Sequence, residues 1–313
     1  MLSHYYQIYG INLETAHPFP ELSPLAIKKT PAGNTITIGP KKNLPLRRSK
    51  KGWNSFYGLD YWLNSRDQLA VIQSPTVGVF HVDFRKKRID WAARKVSSQF
   101  LHAVLRARIL GFVVSHMTPS LLLHASVVVR QGQGIALGGV IAEGKSTLTA
   151  ACLSKGFSLL CDDIAVIRRK GNRFLLYPGA PEFRLWPDAA RQFRRAGMEG
   201  VRLCPEMKKQ KFLLGRQTPW QFTKTPVPLR VFYTLSRKKR GGIQIENLKG
   251  QEALTEILKC FYNPIMEDAK VLRRHFEMAA EVAQRVSIRR LVYPSGFSRL
   301  DSVRQAILRD FKK

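Results

Sequence analysis

The stretch that decides the fold is residues 134–147, GIALGGVIAEGKST. Residues 139–146 satisfy the pattern G-x-x-x-x-G-K-[ST], a Walker A loop, but the pattern alone arises by chance and its surroundings decide its meaning. An apolar strand, 135–137, enters the loop, and an amphipathic helix, 145–156, leaves it. This strand–loop–helix order predicts a phosphate-binding loop.

The predicted loop contains the groups that bind phosphate and metal. Successive backbone N–H groups and the helix N-terminus form an anion cradle. Lys145 supplies a positive charge for the β- and γ-phosphates, and the Ser146 hydroxyl is a predicted Mg²⁺ ligand. The residues predicted to bind the nucleotide are Gly139, Val140, Ile141, Ala142, Glu143, Gly144, Lys145, Ser146 and Thr147.

Two adjacent carboxylates, Asp162 and Asp163, lie within the next predicted strand, FSLLCDDIAVI (157–167), and its first part, 157–162, leads back from the helix to them. The helix carries the chain roughly 16 Å away from the loop, and the strand returns it by about 20 Å. With a right-handed crossover, the strand ends at the sheet edge where the loop lies. We therefore expect both carboxylates near the γ-phosphate, one to hold Mg²⁺ and one to accept a proton from an attacking hydroxyl. Asp162 joins Ser146 as a predicted metal ligand, and the identity of the base stays open. The predicted catalytic residues are Asp162, Asp163, His124 and Lys145.

Three further residues are candidates for the same site. His124, in the apolar strand LLLHASVVV, is either a core residue or a polar group that reaches the phosphates or the reacting carboxylate. Glu182 and Arg184, in PGAPEFRLWPD, form either a structural ion pair or a charge clamp on nucleotide or substrate.

The remainder of the chain predicts two domains. Residues 1–95 contain short alternating strands and no catalytic pattern, 96–117 predict a bridging helix, and 118–313 alternate strands and helices in the α/β manner. The last helix is expected to open at Ser298, with Asp301 completing a capping box. The four cysteines show neither metal-site nor disulfide spacing. With no secretory signal pattern and an apolar stretch broken by Pro and His, we expect a soluble cytoplasmic protein without membrane contact.

The charge is strongly basic, with 52 Lys and Arg against 22 Asp and Glu, a formal net charge of +30. A hydrophobic content of 44% excludes a disordered basic tail. Basic surface attracts anionic partners, so an acidic acceptor peptide is favoured and nucleic acid is the alternative. No helix-turn-helix, zinc-finger or RNP-type signature supports the alternative. The basic clusters are Lys41, Lys42, Arg47, Arg48, Lys50 and Lys51, then Arg85 to Arg88, Lys208 to Lys211 and Arg237 to Arg240.

The combination of His124, Gly139 to Thr147 and Asp162-Asp163 at these spacings resembles the HPr serine kinase/phosphorylase superfamily, and more closely its HPr-kinase-related branch. The resemblance covers roughly residues 118–310. It implies an α/β P-loop kinase domain related to phosphoenolpyruvate carboxykinase, preceded by a smaller β-rich domain, and an ATP- and Mg²⁺-dependent serine kinase. It gives nucleotide and metal binding to Lys145 and Ser146, the general base to Asp162 or Asp163, and a supporting role to His124.

The sequence also departs from the family pattern. Ile141 and Ala142 replace a Ser and a Gly of the usual loop, and Thr147 stands where the bifunctional enzymes often have Glu. A long glycine-containing signature after the Asp pair is absent. These departures count against HPr as the substrate and against reverse phosphorylase activity. Members of the related branch resemble tailoring kinases, so the resemblance implies phosphorylation of a Ser on a ribosomally made peptide, such as a lasso-peptide precursor. The likeness also leaves a homo-oligomer open.

Three hypotheses about function follow. The first is a kinase for a peptide or small-protein hydroxyl. The second is a nucleic-acid-binding protein whose loop switches with ATP, and the third is a simple P-loop NTPase.

Overall fold

The computed structural model describes residues 3–29, 35–42, 44–45, 52–56, 58–140, 143–194, 200–202, 208–214, 219–262 and 268–312. The chain is mixed α/β and divides into two compact units, Met1–Thr118 and Pro119–Lys313. Four members of the first basic cluster, Arg47, Arg48, Lys50 and Lys51, lie outside the described residues, as do Ile141 and Ala142 of the predicted loop.

The first unit contains an eight-stranded sheet in the order β1-β2-β3-β8-β7-β6-β5-β4. Its strands alternate buried and more exposed residues, which is the period expected when one face of a sheet packs on a core. The strands are β1 (His4–Ile8), β2 (Ile11–Thr15), β3 (Thr35–Pro40), β4 (Trp53–Phe56), β5 (Leu59–Asn64), β6 (Leu69–Ser74), β7 (Gly78–Asp83) and β8 (Arg88–Ala93). Strands β4 to β8 form an antiparallel meander, while β3 pairs in parallel with both β2 and β8.

The helical part of the first unit is a continuous segment made of α1 (Ser98–Val104), a π-helical turn (Leu105–Ile109) and α2 (Leu110–Met117). The Ser97 hydroxyl caps its start by accepting the Phe100 N–H. By length and composition alone this segment could cross a membrane, but 67% of its apolar window is buried inside the protein. Burial of that extent is typical of a core helix.

A buried charged cluster, Glu21–His102–Arg106, joins this segment to the 3-10 helix Pro20–Leu25. Glu21 Oε2 lies 3.4 Å from His102 Nδ1 and 3.5 Å from Arg106 Nη1. Burial by itself would raise the pKa of Glu21, but the hydrogen bond with His102 and the charge of Arg106 lower it to about 2. Glu21 is therefore held ionised inside the first unit.

The second unit contains a mixed ten-stranded sheet and a separate three-stranded sheet. The large sheet runs β18-β12-β10-β11-β19-β14-β13-β9, with β21 on β19 and β20 on β21, and the small sheet runs β15-β17-β16. The strands are β9 (Leu121–Leu123), β10 (Ala125–Arg130), β11 (Gln133–Gly138), β12 (Ser158–Cys161), β13 (Ala165–Lys170), β14 (Arg173–Tyr177), β15 (Glu182–Leu185), β16 (Val201–Arg202), β17 (Gln210–Leu213), β18 (Gln221–Phe222), β19 (Val227–Lys238), β20 (Gln244–Leu248) and β21 (Ser287–Pro294).

The strands of the large sheet have apolar side chains on both faces. Helices pack on both faces and bury these side chains. Those helices are α3 (Lys145–Leu153), α4 (Pro187–Arg194), α5 (Gly250–Leu258), α6 (Ala269–Arg285) and α7 (Leu300–Phe311). One apolar layer contains residues of α3, α4, α7 and the small sheet, and the other contains residues of α5 and α6. Buried on both faces, the strands hold the residues at their ends in fixed positions.

Two details differ from the sequence-based expectations. The segment 157–167 is not one strand, because the chain bends at Asp162-Asp163 between β12 and β13. The predicted capping box at Ser298 was wrong: residues Phe297–Arg299 form a 3-10 turn, and α7 begins at Leu300 without a side-chain cap. The carboxylate of Asp301 instead accepts from the side chains of Arg304 and Gln305.

Candidate active site

The phosphate-loop candidate begins where β11 ends and finishes at Gly144, the N-cap of α3. Gly139 has φ +140° and Gly144 has φ +86°, values that L side chains rarely adopt. A Cβ at Gly144 would lie 2.6 Å from the Tyr293 hydroxyl oxygen. Both glycines are therefore needed for this loop path. Val140 is exposed, and Ile141 and Ala142 lie outside the described residues.

Glu143 connects the loop to the neighbouring parallel strands through two hydrogen bonds. Its carbonyl accepts a 2.5 Å hydrogen bond from the Tyr293 hydroxyl on β21. Its carboxylate accepts the backbone N–H of Arg237 on β19. Because β11, β19 and β21 are mutually parallel, their carboxyl ends meet at one edge, and Glu143 links all three there. Glu143, which the sequence predicts to bind nucleotide, therefore connects the loop to β19 and β21.

Lys145 is the first residue of α3, and its side chain folds back onto the loop. Its Nζ donates to the carbonyl oxygens of Gly139 at 2.7 Å and Val140 at 3.1 Å. Burial lowers the pKa of this ammonium from its usual value. Ser146 and Thr147 follow in the first helical turn and are half-buried. This arrangement places a cation, a hydroxyl and the helix N-terminus at the same end of β11.

The Asp162-Asp163 pair lies at the same sheet edge, but by a different route from the one expected. β10 lies between β11 and β12 and is antiparallel to both, so β11 and β12 are parallel to each other without pairing. The chain leaves both strands at one edge, at Gly138 and at Cys161. Asp163 has φ +66°, a conformation uncommon for a non-glycine residue.

The two carboxylates have different partners and opposite pKa shifts. Asp162 accepts from the Ser126 hydroxyl at 2.5 Å and from the Arg184 backbone N–H at 3.1 Å. Burial and the adjacent charge of Asp163 raise its pKa to about 6. Asp163 Oδ2 lies 3.6 Å from Arg184 Nη1. Burial would raise the pKa of Asp163, but neighbouring positive charges, Arg184 foremost, hold it below its usual value.

His124 lies against the same pair. Its Nδ1 is 3.1 Å from the carbonyl oxygen of Asp163, and its backbone N–H donates to the Cys260 carbonyl at 2.6 Å. A carbonyl can only accept, so Nδ1 carries the proton and Nε2 is left as an acceptor. Burial lowers the pKa of the imidazole, which favours its neutral form. His124 therefore supports the strained turn at Asp163.

Glu182 and Arg184 lie on β15 and connect the small sheet to the carboxylates. Arg184 Nη2 is 3.4 Å from Glu182 Oε1, and Lys211 Nζ on β17 is 3.9 Å from Glu182 Oε2. Arg184 bridges Glu182 and Asp163, so the structure shows the Arg–carboxylate pair, and a clamp on nucleotide or substrate stays a prediction.

Three residues of the site were not singled out from the sequence. Ser126 lies on β10, two positions beyond His124, which lies between β9 and β10, and its bond to Asp162 joins β10 to the end of β12. Cys260, whose Sγ accepts the Gly139 N–H at 3.1 Å, follows α5 more than a hundred residues away. Lys209 lies within electrostatic range of Asp162, Asp163 and His124, which only the fold could show.

The donor set fits a magnesium ion shared with phosphates. In the part of the chain that the structure describes, no group of three or more His, Cys, Asp or Glu forms a metal site. Magnesium in phosphoryl-transfer sites needs only one or two protein oxygens besides phosphates and water. The Ser146 hydroxyl and the Asp162 carboxylate, crowded by Asp163, supply donors of that kind.

Comparisons with known proteins give distant similarity to solved structures only. No protein-family model and no curated protein matches the sequence. Among solved structures, the chain is similar to the HPr(Ser) kinase/phosphatase from Coxiella burnetii at 12% identity, with a TM-score of 0.30. That match covers 61% of this chain and 97% of the other. A similarity this low assigns neither a family nor an activity.

Proposed function

We propose that the second unit is an ATP- and Mg²⁺-dependent kinase that transfers the γ-phosphoryl group of ATP to a Ser hydroxyl of a peptide or small protein. The observation that carries the proposal is the adjacency of Asp162 and Asp163 at the sheet edge from which the phosphate loop emerges. A metal ligand and a group that orients or deprotonates the nucleophile are what phosphoryl transfer needs, and the choice of a Ser hydroxyl over water as the nucleophile rests on the sequence resemblance.

The loop and α3 bind the nucleotide in this proposal. The backbone N–H groups and the N-terminus of α3 bind the phosphates, and Lys145 exchanges its two carbonyl partners for phosphate oxygens. Gly139, Gly144 and the Glu143 contacts fix the described ends of the loop. Ser146 and one carboxylate of the pair would hold Mg²⁺, which neutralises developing charge on the phosphate oxygens.

The carboxylate pair carries the chemical step. The acceptor oxygen attacks the γ-phosphorus, the new O–P bond forms, and the bond from the γ-phosphorus to the β,γ-bridging oxygen breaks, releasing ADP. The proton of the acceptor hydroxyl passes to the carboxylate that does not hold the metal. Ser126, Arg184 and His124 keep the pair in place through the contacts described above. His124 and Arg184 hold the Asp163 side of the turn, and Ser126 holds Asp162.

The assignment of base and metal ligand within the pair is testable. Replacing the metal ligand by Asn raises the Mg²⁺ concentration needed for half-maximal rate, whereas replacing the base lowers kcat at an unchanged Mg²⁺ requirement. Asp162→Asn and Asp163→Asn compared over a Mg²⁺ titration therefore separate the two roles.

The acceptor is proposed to be an acidic, ribosomally made peptide, such as a lasso-peptide precursor. The sequence resemblance and the +30 charge support this choice. The test is incubation with γ-labelled ATP, Mg²⁺ and the small peptides encoded beside the gene, read by mass spectrometry. The expected result is ADP formed together with one phosphorylated Ser peptide. Release of phosphate without a labelled peptide would instead indicate an NTPase.

Nucleic-acid binding with an ATP-switched loop is the other outcome. Filter binding at two salt concentrations, with and without ATP, distinguishes the cases. Salt-sensitive binding that ignores ATP indicates incidental charge, while ATP-dependent affinity at moderate salt would contradict the kinase proposal.

A further inference from the structure

Beside the carboxylate pair lies a small exposed surface, formed by Trp186 at the end of β15 and Lys209 at the start of β17. The Trp186 side chain is 48% exposed, although a large aromatic ring is usually covered. The Lys209 ammonium lies 5.5 Å from the centre of that ring. A cation at this distance interacts favourably with an indole face, which holds the Lys209 side chain over the ring. We call Trp186 and Lys209 the acceptor platform.

The charges around the platform are unequally balanced. Arg184 is matched by Asp163 and Glu182, and Lys211 is matched by Glu182. Lys209, among the residues the structure describes, forms no salt bridge; its ammonium contacts the indole ring and lies within electrostatic range of Asp162 and Asp163. Lys209 is therefore a cation beside the site that no ion pair within the described residues occupies.

From these observations we infer that the platform binds an acidic residue of the acceptor peptide next to the phosphorylated Ser, with the peptide backbone lying on Trp186. The inference rests on the proposed function, because it assigns the acceptor side of that site. The terminal phosphate of ATP has the same charge and is the other source of an anion. Lys145 already provides a cation for the phosphates, which favours the peptide as the partner of Lys209.

Equilibrium binding tests the platform without requiring transfer. The probes are three fluorescein-labelled peptides with one central Ser, flanked by Asp, by Ala or by Lys, and the readout is anisotropy at physiological salt. The wild type is expected to bind the Asp-flanked peptide most tightly. Lys209→Ala is expected to weaken that binding about tenfold, the loss of one charge-assisted contact. Trp186→Ala is expected to weaken all three peptides alike.

The control for total charge is Lys170→Glu, because Lys170 is an exposed lysine at the end of β13. Lys209→Glu and Lys170→Glu change the net charge equally, so a difference between them is local. Lys209→Glu should reverse the preference towards the Lys-flanked peptide, and Lys170→Glu should not. Equal effects of both variants would overturn the platform.

A second arm separates the peptide from the nucleotide. Binding of a fluorescent ATP analogue is expected to be unchanged in Lys209→Ala. Weaker binding of the analogue, with unchanged peptide binding, would assign Lys209 to the phosphates and overturn the inference. A wild type that binds the platform peptides but transfers no phosphate would refute the proposed function while leaving the platform in place.

Discussion

Each unit contains a cluster of buried charge, and the two clusters are built in opposite ways. In the first unit one carboxylate, Glu21, contacts a histidine and an arginine, and its pKa falls to about 2. In the second unit two carboxylates stand side by side, and the pKa of Asp162 rises to about 6. The Glu21 cluster is closed, since Arg106 is 1% exposed, while the Asp163 side chain is 33% exposed.

The difference separates a structural charge from a reactive one. A buried carboxylate matched by cations is satisfied within the fold, and removing it leaves a buried arginine without its counter-charge. Two adjacent carboxylates repel each other and gain from an external cation or a proton. We infer that the first cluster serves stability and that the second serves chemistry.

The largest effect is expected for the carboxylate pair. Asp162→Asn and Asp163→Asn should each lower phosphoryl transfer by about 10²- to 10⁴-fold, because a general base or a metal ligand is lost. ATP affinity should change by only a few fold, and Asp162→Asn should not lower stability, since it relieves like-charge repulsion. Labelled transfer and nucleotide binding, measured on the same preparation, check both statements.

The control for these variants is Asp188→Asn, which changes an exposed carboxylate in the first turn of α4. It should leave transfer unchanged. Full activity in both pair variants would remove the carboxylates from the mechanism.

The first unit should respond in the opposite sense. Glu21→Gln removes the buried carboxylate that contacts Arg106 and His102 and should cost about 3–5 kcal/mol of unfolding free energy. Hydrogen exchange of peptides from residues 98–117 across a urea series measures this loss in the unit concerned. Glu14→Gln is the matched control, because Glu14 is half-buried and accepts from the Tyr5 hydroxyl, and it should cost less than about 1 kcal/mol. Equal losses of unfolding free energy in Glu21→Gln and Glu14→Gln would contradict a particular stabilising role of the buried cluster.

The Glu21 contribution should also depend on pH with a defined sign. A folded pKa of about 2, below the unfolded value of about 4.5, means that the stabilisation is present above pH 4.5. It is lost as the pH falls towards 2, and it amounts to roughly 3 kcal/mol at pH 7. The gap in unfolding midpoint between wild type and Glu21→Gln should therefore shrink between pH 5 and pH 2.5. A gap that is independent of pH would contradict the assignment.

The smallest effect is expected in the phosphate loop. Gly144→Ala puts a Cβ at a positive φ and 2.6 Å from the Tyr293 hydroxyl, so ATP affinity should fall about tenfold. Gly171→Ala is the matched control, with φ +58° and open space around the added Cβ, in the turn between β13 and β14. It should cost similar backbone strain without changing ATP affinity, as isothermal calorimetry can show.

Patterns within short stretches of sequence predicted the parts of the site whose residues lie close together along the chain. The Walker A spacing located the loop and the start of α3, and the length of helix and strand located Asp162 and Asp163 at the loop edge. The mixed α/β character of the chain follows from alternating strand and helix patterns. The break at Asp163 was not predicted, because a positive φ in a non-glycine residue depends on its tertiary contacts.

Contacts between distant segments were outside the reach of these patterns. The insertion of β10 between β11 and β12 depends on pairing across the sheet, not on the crossover alone. Cys260 and Lys209 reach the site from far along the chain, and no spacing rule connects them to the loop. The Glu21 cluster joins residues about eighty positions apart. The sequence around Glu21 contains no pattern that indicates its partners.

We propose that the Asp162-Asp163 pair is required for phosphoryl transfer and that the Glu21–His102–Arg106 cluster stabilises the first unit. The most direct measurement is the phosphate transferred from γ-labelled ATP to the acceptor peptide, per folded molecule, in Glu21→Gln and Asp163→Asn proteins. Wild-type transfer in folded Glu21→Gln, together with transfer reduced at least a hundredfold in fully folded Asp163→Asn, is the result we predict. Equal transfer in the two variants would contradict the account.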